Sequence, residues 1–126
     1  METIKSDISI ILVDDEEILL DSLLVYLEDV GFRASGYTIP QEALKAIAQD
    51  APDVCIVDLR MPGTNGEDLV KEIHAVAPRV RCMILTGSHY EISDELKLIG
   101  MSQEDIIRKP IHDYQEFFSL LSSPSK

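Results

Sequence analysis

The amino-acid sequence predicts a doubly wound α/β sandwich, in which helices cover both faces of a five-stranded parallel sheet. Two observations support this prediction. Five short apolar segments alternate along the chain with stretches whose apolar residues recur at helical spacing. Residues 10–13, 54–57 and 83–85 within these segments are also nearly continuously apolar rather than alternating, which is typical of parallel strands buried on both faces. Right-handed crossovers between such strands place helices on both sides of the sheet.

Each element of this order has its own sequence signal. Strands are predicted where β-branched and other apolar residues run together, at residues 8–13, 32–37, 54–58, 80–86 and 105–108. Helices are predicted where apolar residues recur every three or four positions, at residues 16–30, 40–49, 65–76, 90–99 and 112–121. The chain therefore reads as a strand followed by a helix, repeated five times.

The sequence indicates both the core-facing residues and the ends of these helices. The core stripe of the first helix is predicted to consist of Leu19, Leu23, Tyr26, Leu27 and Val30. Gly31 is expected to end that helix, and Pro40 is suited to the first turn of the second. Asn65 is a candidate N-cap of the third helix, and Pro78 stops it. The fourth helix offers few strong core anchors.

Length and composition limit the classes of protein to be considered. The 126 residues suit one domain, residues 1–126, with residues 122–126 as a tail or the start of a linker. No apolar run approaches the roughly 20 residues that a membrane span needs. The N-terminus lacks the basic and apolar pattern of a secretory signal, so a cytoplasmic location is expected. Cys55 and Cys82 lie in apolar runs and are interpreted as buried, reduced thiols.

The charge balance argues against nucleic acid as a direct partner. The chain has 11 Lys and Arg residues against 23 Asp and Glu residues, a formal net charge of −12. Affinity for nucleic acid depends largely on cationic side chains that neutralise phosphates. A cation or a basic protein surface is the more natural partner.

Polar residues follow four of the predicted strands. Asp14 and Asp15 follow the first strand, Asp58 ends the third, Thr86 ends the fourth and Lys109 follows the fifth. In open parallel sheets, ligands bind outside the carboxyl ends of the strands. Three carboxylates, a hydroxyl and an ammonium are therefore expected to meet at one edge of the sheet.

The chemistry of this group points to phosphoryl transfer. Carboxylates held close together repel one another and favour a hard cation, and Mg²⁺ suits a site with few carboxylates. One carboxylate can attack phosphorus to form an aspartyl phosphate while the cation neutralises phosphoryl oxygens. The ammonium and the hydroxyl can bind other phosphoryl oxygens.

Four segments resemble the receiver domains of response regulators in two-component signalling. They are LVDDEE, IVDLRMPGTNG, LTG and RKP, and the resemblance extends from about residue 8 to residue 121. Each motif alone is weak, but four in the right order, each at a strand end, are specific. The resemblance implies a flavodoxin-like (βα)5 fold with strand order 2-1-3-4-5.

The resemblance also implies roles for individual residues. Asp58 corresponds to the phosphoacceptor, and Thr86 and Lys109 correspond to the hydroxyl and the lysine of the family. The implied Mg²⁺ ligands are Asp15 directly, Asp14 through water, Asp58 and the backbone carbonyl of Arg60. The peptide before the family's proline, here Pro110, is expected to be cis. The small Gly87 is expected to let the phosphoryl group approach the backbone, and the turn into the third helix is expected to be shaped by Pro62, Gly63 and Gly66.

The implied function is a signalling switch rather than an enzyme. A sensor histidine kinase or a phosphotransfer protein would supply the phosphoryl group, and Asp58 would accept it with Mg²⁺ present. The change would alter binding to a downstream effector protein or domain, with catalysis limited to the domain's own phosphorylation and autodephosphorylation. The sequence leaves open whether the domain forms a homodimer.

Three features depart from the family pattern. Ile106 stands three residues before the lysine, where many receivers carry Tyr or Phe. The segment IGMSQEDIIRKP is longer than is common there. Arg60 lies two residues after Asp58, where a side chain can contact an attacking water.

Several other interpretations compete with the switch. A phosphorylation-independent scaffold of receiver shape usually lacks one of the site residues, whereas all are present. A phosphatase with an Asp nucleophile usually needs a second Asp where Arg60 stands. A flavodoxin-like cofactor carrier would need a phosphate loop after the first strand. Acids at a helix N-terminus can simply be solvated, which is the interpretation given to Glu16 and Glu17.

Overall fold

The predicted parallel sheet is present, and its strand order is the predicted one. The computed structural model describes residues 8–111 and 114–122. The parallel strands are β1 (Ser9–Val13), β2 (Arg33–Tyr37), β3 (Val54–Asp58), β6 (Arg81–Thr86) and β7 (Ile106–Arg108). They lie in the order β2-β1-β3-β6-β7, which is 2-1-3-4-5 when these five are counted along the chain. A small antiparallel pair that was not predicted, β4 (Arg60–Met61) and β5 (Thr64–Asn65), lies between β3 and the third helix.

The five helices cover both faces of the sheet, as predicted. They are α1 (Glu17–Asp29), α2 (Pro40–Gln49), α3 (Gly66–Val76), α4 (Asp94–Leu98) and α5 (Tyr114–Ser122). Buried residues of α2, α3 and α4 form one core cluster with alternate strand residues. Buried residues of α1 and α5 form the second cluster on the opposite face. Burial of successive strand residues on opposite faces explains why β1, β3 and β6 are almost continuously apolar.

The predicted core stripe of α1 is largely confirmed: Leu23 and Leu27 are buried, and Leu19, Tyr26 and Val30 are half-buried against the same cluster. The buried residues of the helix are Leu20, Leu23 and Leu27, whereas Leu19 is only half-buried. Leu20 packs under β2, where a Cβ added to Gly36 would lie 2.9 Å from its Cδ1 atom. Leu20 is therefore the buried residue of α1 that the predicted stripe did not include.

The fourth helix is shorter than predicted. It begins at Asp94 instead of residue 90 because side chains of distant segments hold the preceding residues in another conformation. The hydroxyl of Tyr90 donates to the carboxylate of Glu67, and the backbone N–H of Ile92 donates to the side chain of Gln103 at 3.2 Å. The side chain of Ser93 then caps the helix by accepting from the N–H of Leu96 at 3.2 Å.

The other predicted helix ends are largely confirmed. Gly31 follows α1 with a φ of 102°, a conformation that favours glycine, and its N–H donates to the carbonyl of Glu28. The side chain of Asn65 caps α3 by accepting from the N–H of Glu67 at 2.8 Å. The predicted start of the fifth helix at residue 112 lies outside the described residues, as do residues 123–126 of the predicted tail.

No helix of the described ranges is long and apolar enough to cross a membrane.

The two cysteines are buried free thiols, as predicted. Cys55 and Cys82 lie opposite each other on the neighbouring strands β3 and β6. Burial raises the pKa of both thiols, to about 12 for Cys82, where the charge of Asp105 adds to the effect. Because the thiolate is the reactive form, both groups should be chemically inert in the folded protein.

We therefore expect both thiols to react with Ellman's reagent roughly a hundredfold more slowly in the native protein than in urea, since reaction requires local opening of the sheet. A Glu72→Cys variant supplies an exposed thiol as the control. Rapid native labelling of either natural cysteine would contradict the buried arrangement.

Candidate functional site

The polar residues predicted to meet at one edge of the sheet do meet there. An open cleft of about 560 Å³ lies at the carboxyl ends of the strands. The cleft is lined by Asp15, Glu16, Asp58, Arg60, Thr86, Gly87, Ser88 and Lys109. The buried Asp14 lies beside the cleft, within ion-pair distance of Lys109. All six predicted site residues are therefore brought together.

The parallel register positions the carboxylates. Val13 pairs with Val57 across β1 and β3, so the next residues, Asp14 and Asp58, emerge side by side. One carboxylate oxygen of each of Asp14, Asp15 and Asp58 lies within 4.8 Å of the others. Asp14 and Asp58 are only 2% and 6% exposed, whereas Asp15 is exposed.

The buried Asp14 has one satisfied and one unsatisfied oxygen. Its Oδ1 accepts a hydrogen bond from the backbone N–H of Glu16 at 2.9 Å. Its Oδ2 is buried and accepts no hydrogen bond from the described residues. A buried carboxylate oxygen without a donor is unfavourable, and it fits a site that receives a cation.

Lys109 is the cation that the structure places in this group. Its Nζ lies 3.1 Å from Asp58 Oδ1, 3.5 Å from Asp14 Oδ2 and 3.0 Å from Glu16 Oε1. Its backbone N–H donates to the carbonyl of Thr86 at 2.8 Å, which extends the pairing of β6 with β7 into the site. The peptide bond between Lys109 and Pro110 is cis, as expected.

The electrostatics of the group follow from burial and like charge. Burial raises the pKa of Asp14, and burial together with the charge of Asp14 raises the pKa of Asp58, although Lys109 acts in the opposite direction on both. Burial lowers the pKa of Lys109, but Glu16, Asp58 and Asp14 more than offset this, so its pKa lies above the ordinary value. Burial of these two carboxylates therefore has a free-energy cost.

The hydroxyl of Thr86 is engaged with its own loop. Thr86 is buried, and its Oγ1 lies 3.2 Å from both the carbonyl and the backbone N–H of Ser88, donating to the first and accepting from the second. A phosphoryl oxygen in the cleft would compete with Ser88 for this hydroxyl.

Glycine allows α3 to approach the backbone of Asp58. A Cβ at Gly66 would lie 2.4 Å from the carbonyl oxygen of Asp58 and 2.8 Å from the Cα of Leu59. Pro62 and Gly63 form the turn between β4 and β5, and Gly63 adopts a φ of 72°. These are the three residues that were expected to shape this connection.

Two predicted features concern residues at the margin of the site. Arg60 is exposed and lines the cleft, as its position after Asp58 requires. Ile106 is half-buried on β7 and packs against the cluster under α2, α3 and α4.

Sequence reasoning missed two residues of the cleft. Glu16 was interpreted as a solvated acid at the start of α1, but its carboxylate binds Lys109, 93 positions away. Ser88 was not considered, although it holds the hydroxyl of Thr86. One signal for Glu16 was available, since Glu is a poor residue for the N-cap position that it occupies.

The donor set fits a hard divalent cation. Three carboxylates from two adjacent strand ends converge, and one of their buried oxygens lacks a hydrogen-bond donor. Oxygen ligands of this kind, with room for several waters in an open cleft, suit Mg²⁺.

Comparison with known proteins gives one consistent family. The family model described as the response regulator receiver domain matches residues 10–120. The chain is 33% identical over 115 residues to the uncharacterized transcriptional regulatory protein YesN of Bacillus subtilis, a match that covers 88% of this chain and 31% of that protein. It is 29% identical over 108 residues to the phosphoglycerate transport system transcriptional regulatory protein PgtA of Salmonella typhimurium, with 86% and 26% covered. The chain thus spans about a third or less of the length of these relatives.

A solved structure shows the same fold. The non-phosphorylated HemR receiver domain of Leptospira biflexa superposes with a TM-score of 0.77 at 27% identity, covering 95% of this chain and 98% of that one.

We expect a Gly66→Ala substitution to destabilise the protein by about 1–3 kcal/mol, because the added methyl group would overlap the backbone of Asp58 and Leu59. Urea unfolding measures the change. Gly87→Ala is the matched control, since a Cβ there meets nothing within 4 Å, and its effect should stay within about 0.5 kcal/mol. Equal stabilities of the two variants would contradict the close approach of α3.

Proposed function

Because the chain belongs to the response regulator receiver domain family, we propose that it is a phosphorylation switch in which Asp58 accepts a phosphoryl group in the presence of Mg²⁺. One observation carries the proposal. The carboxylates of Asp14, Asp15 and Asp58 converge within 4.8 Å, and the ammonium of Lys109 lies 3.1 Å from Asp58. This arrangement supplies a nucleophile, a metal site and a counter-charge for a phosphoryl oxygen.

The proposed metal ligands are the carboxylates of Asp15 and Asp58, the carboxylate of Asp14 through water, and the backbone carbonyl of Arg60. Mg²⁺, when bound, supplies neutralisation of the charge on the phosphoryl oxygens. The unsatisfied Oδ2 of Asp14 supports a cation near this position, since it lacks a hydrogen-bond donor among the described residues.

Asp58 is the proposed nucleophile. A carboxylate oxygen of Asp58 attacks phosphorus and forms a new O–P bond, while the bond between phosphorus and the donor breaks. The leaving group, a histidine imidazole or the carboxylate of a small acyl phosphate, departs with the electron pair. Phosphoryl transfer depends mainly on positioning and charge neutralisation, which a preformed polar cleft provides.

Lys109 and Thr86 are proposed to bind the transferred group. The ammonium of Lys109 exchanges a carboxylate partner for a phosphoryl oxygen, and the hydroxyl of Thr86 exchanges Ser88 for another. Because Thr86 begins the loop to α4, its movement shifts that loop. The proposed readout surface comprises α4, β7 and α5. Water later removes the phosphoryl group at the same site, so catalysis is limited to the domain's own modification.

The proposed partners follow from the family. A sensor histidine kinase or a phosphotransfer protein supplies the phosphoryl group, and an effector protein or domain reads the change. The relatives named above are transcriptional regulatory proteins of which the matches cover 26% and 31%, which supports an effector outside this segment. We propose that residues 1–126 act as one receiver domain in the cytoplasm, with no direct contact to nucleic acid or membrane. No specific observation favours the scaffold alternative.

The proposal is tested by intact mass after incubation with acetyl phosphate, with and without Mg²⁺, for the natural protein and for Asp58→Asn. We expect one phosphoryl adduct that requires Mg²⁺ and is absent from the variant. Glu72→Gln, which removes an exposed acid of α3, is the control and should be modified like the natural protein. No adduct in Mg²⁺, or an adduct that persists in Asp58→Asn, would count against Asp58 as the phosphoacceptor.

A further inference from the structure

Glu16 occupies an N-cap position without acting as a cap. Its backbone carbonyl accepts from the N–H of Leu20 at 3.0 Å, as the residue before α1 should. Its side chain makes no cap hydrogen bond. Instead, its Oε1 accepts from the ammonium of Lys109 at 3.0 Å, across the mouth of the cleft. The side chain of Glu16 is therefore committed to the site rather than to the helix.

Three carboxylates surround the ammonium of Lys109. Its Nζ lies 3.0 Å from Glu16 Oε1 and 3.1 Å from Asp58 Oδ1, whereas Asp14 Oδ2, at 3.5 Å, is within ion-pair distance but accepts no hydrogen bond. A phosphoryl oxygen in the cleft would therefore compete with these carboxylates for Lys109. Asp58 and Asp14 belong to the proposed phosphoacceptor and metal site, whereas Glu16 is 62% exposed and belongs to neither.

We propose that Glu16 is a positioning residue that holds the ammonium of Lys109 when Mg²⁺ takes Asp14 and Asp58, and that competes with the phosphoryl group for it. This inference rests on the proposed function of Asp58. It assigns Glu16 two opposite effects. The carboxylate favours Mg²⁺ binding, because the ammonium displaced from Asp58 keeps a partner. It also opposes phosphorylation, because it retains Lys109 and repels the anionic donor.

The opposite signs distinguish this role from general charge or folding. A residue that only stabilises the fold would weaken both functions when it is changed. A residue that only adds negative charge would act like Glu17, the next acid along the chain, which is also exposed. Glu17→Gln therefore removes the same charge one position away and is the matched control for Glu16→Gln.

The test compares these two variants with the natural protein. Mg²⁺ affinity is measured by titration with MgCl₂, with backbone NMR chemical shifts as the signal. The rate of modification by acetyl phosphate is measured at saturating Mg²⁺ by intact mass. For Glu16→Gln we expect about two- to fivefold weaker Mg²⁺ binding and about two- to fivefold faster phosphorylation, the range that an ion pair with one exposed partner supports. For Glu17→Gln we expect changes of less than about 1.5-fold.

The ion pair itself is tested without metal or phosphoryl donor. Urea unfolding in EDTA of Glu16→Gln, Lys109→Met and the double variant gives their coupling. We expect the effects of Glu16→Gln and Lys109→Met on the unfolding equilibrium constant to depart from additivity by a factor of about two to five. The same cycle with Glu17→Gln in place of Glu16→Gln is expected to be additive.

Each outcome decides between the two proposals. Equal effects of Glu16→Gln and Glu17→Gln, in a protein that is phosphorylated normally, would overturn the role of Glu16 and leave the proposed function intact. Slower phosphorylation of Glu16→Gln, or additivity in the Glu16 cycle, would also overturn the role of Glu16 without affecting the proposed function. If the natural protein takes no phosphoryl group, the proposed function fails, while the Mg²⁺ titration and the cycle still decide whether Glu16 holds Lys109. Absence of both Mg²⁺ binding and phosphorylation would overturn both proposals.

Discussion

The repulsion between two buried carboxylates, partly balanced by one lysine, is the interaction around which this site is built. Asp14 and Asp58 are adjacent because Val13 and Val57 pair across neighbouring parallel strands, so the sheet itself forces the charges together. Burial raises the pKa of both groups even though Lys109 lies against them. The fold thus holds a local arrangement that is unfavourable by itself. Such an arrangement responds strongly to whatever brings or removes charge, which is what the proposed phosphorylation switch requires.

Most of this arrangement could be predicted from the sequence, because it depends on local patterns and on one topological rule. Continuous apolar runs identify β1, β3 and β6, and crossovers of one hand place the carboxyl ends of the parallel strands at one edge. The polar residues that follow those runs then have to meet. Asp14, Asp15, Asp58, Thr86 and Lys109 were found in this way, and the order of the five parallel strands agrees with the family resemblance.

What the sequence could not predict depends on contacts between distant residues. Periodicity indicates that α1 is amphipathic, but the packing of α1 against the sheet adds Leu20 to its buried face. The late start of α4 is set by the hydrogen bond between Tyr90 and Glu67, which no local pattern reveals. The pairing of Glu16 with Lys109 joins opposite ends of the chain and requires the completed sheet.

The most direct test of this account is the thermal unfolding of the natural protein and of Asp58→Asn at neutral pH, in EDTA and in Mg²⁺. A carboxyl group whose pKa is raised by folding lowers the stability of the folded state at any pH above its unfolded-state pKa, and neutral pH lies above that value. We expect Asp58→Asn to have the higher Tm in EDTA, and we expect Mg²⁺ to raise the Tm of the natural protein more than that of the variant. A lower Tm for Asp58→Asn in EDTA, together with equal effects of Mg²⁺ on both proteins, would contradict these expectations.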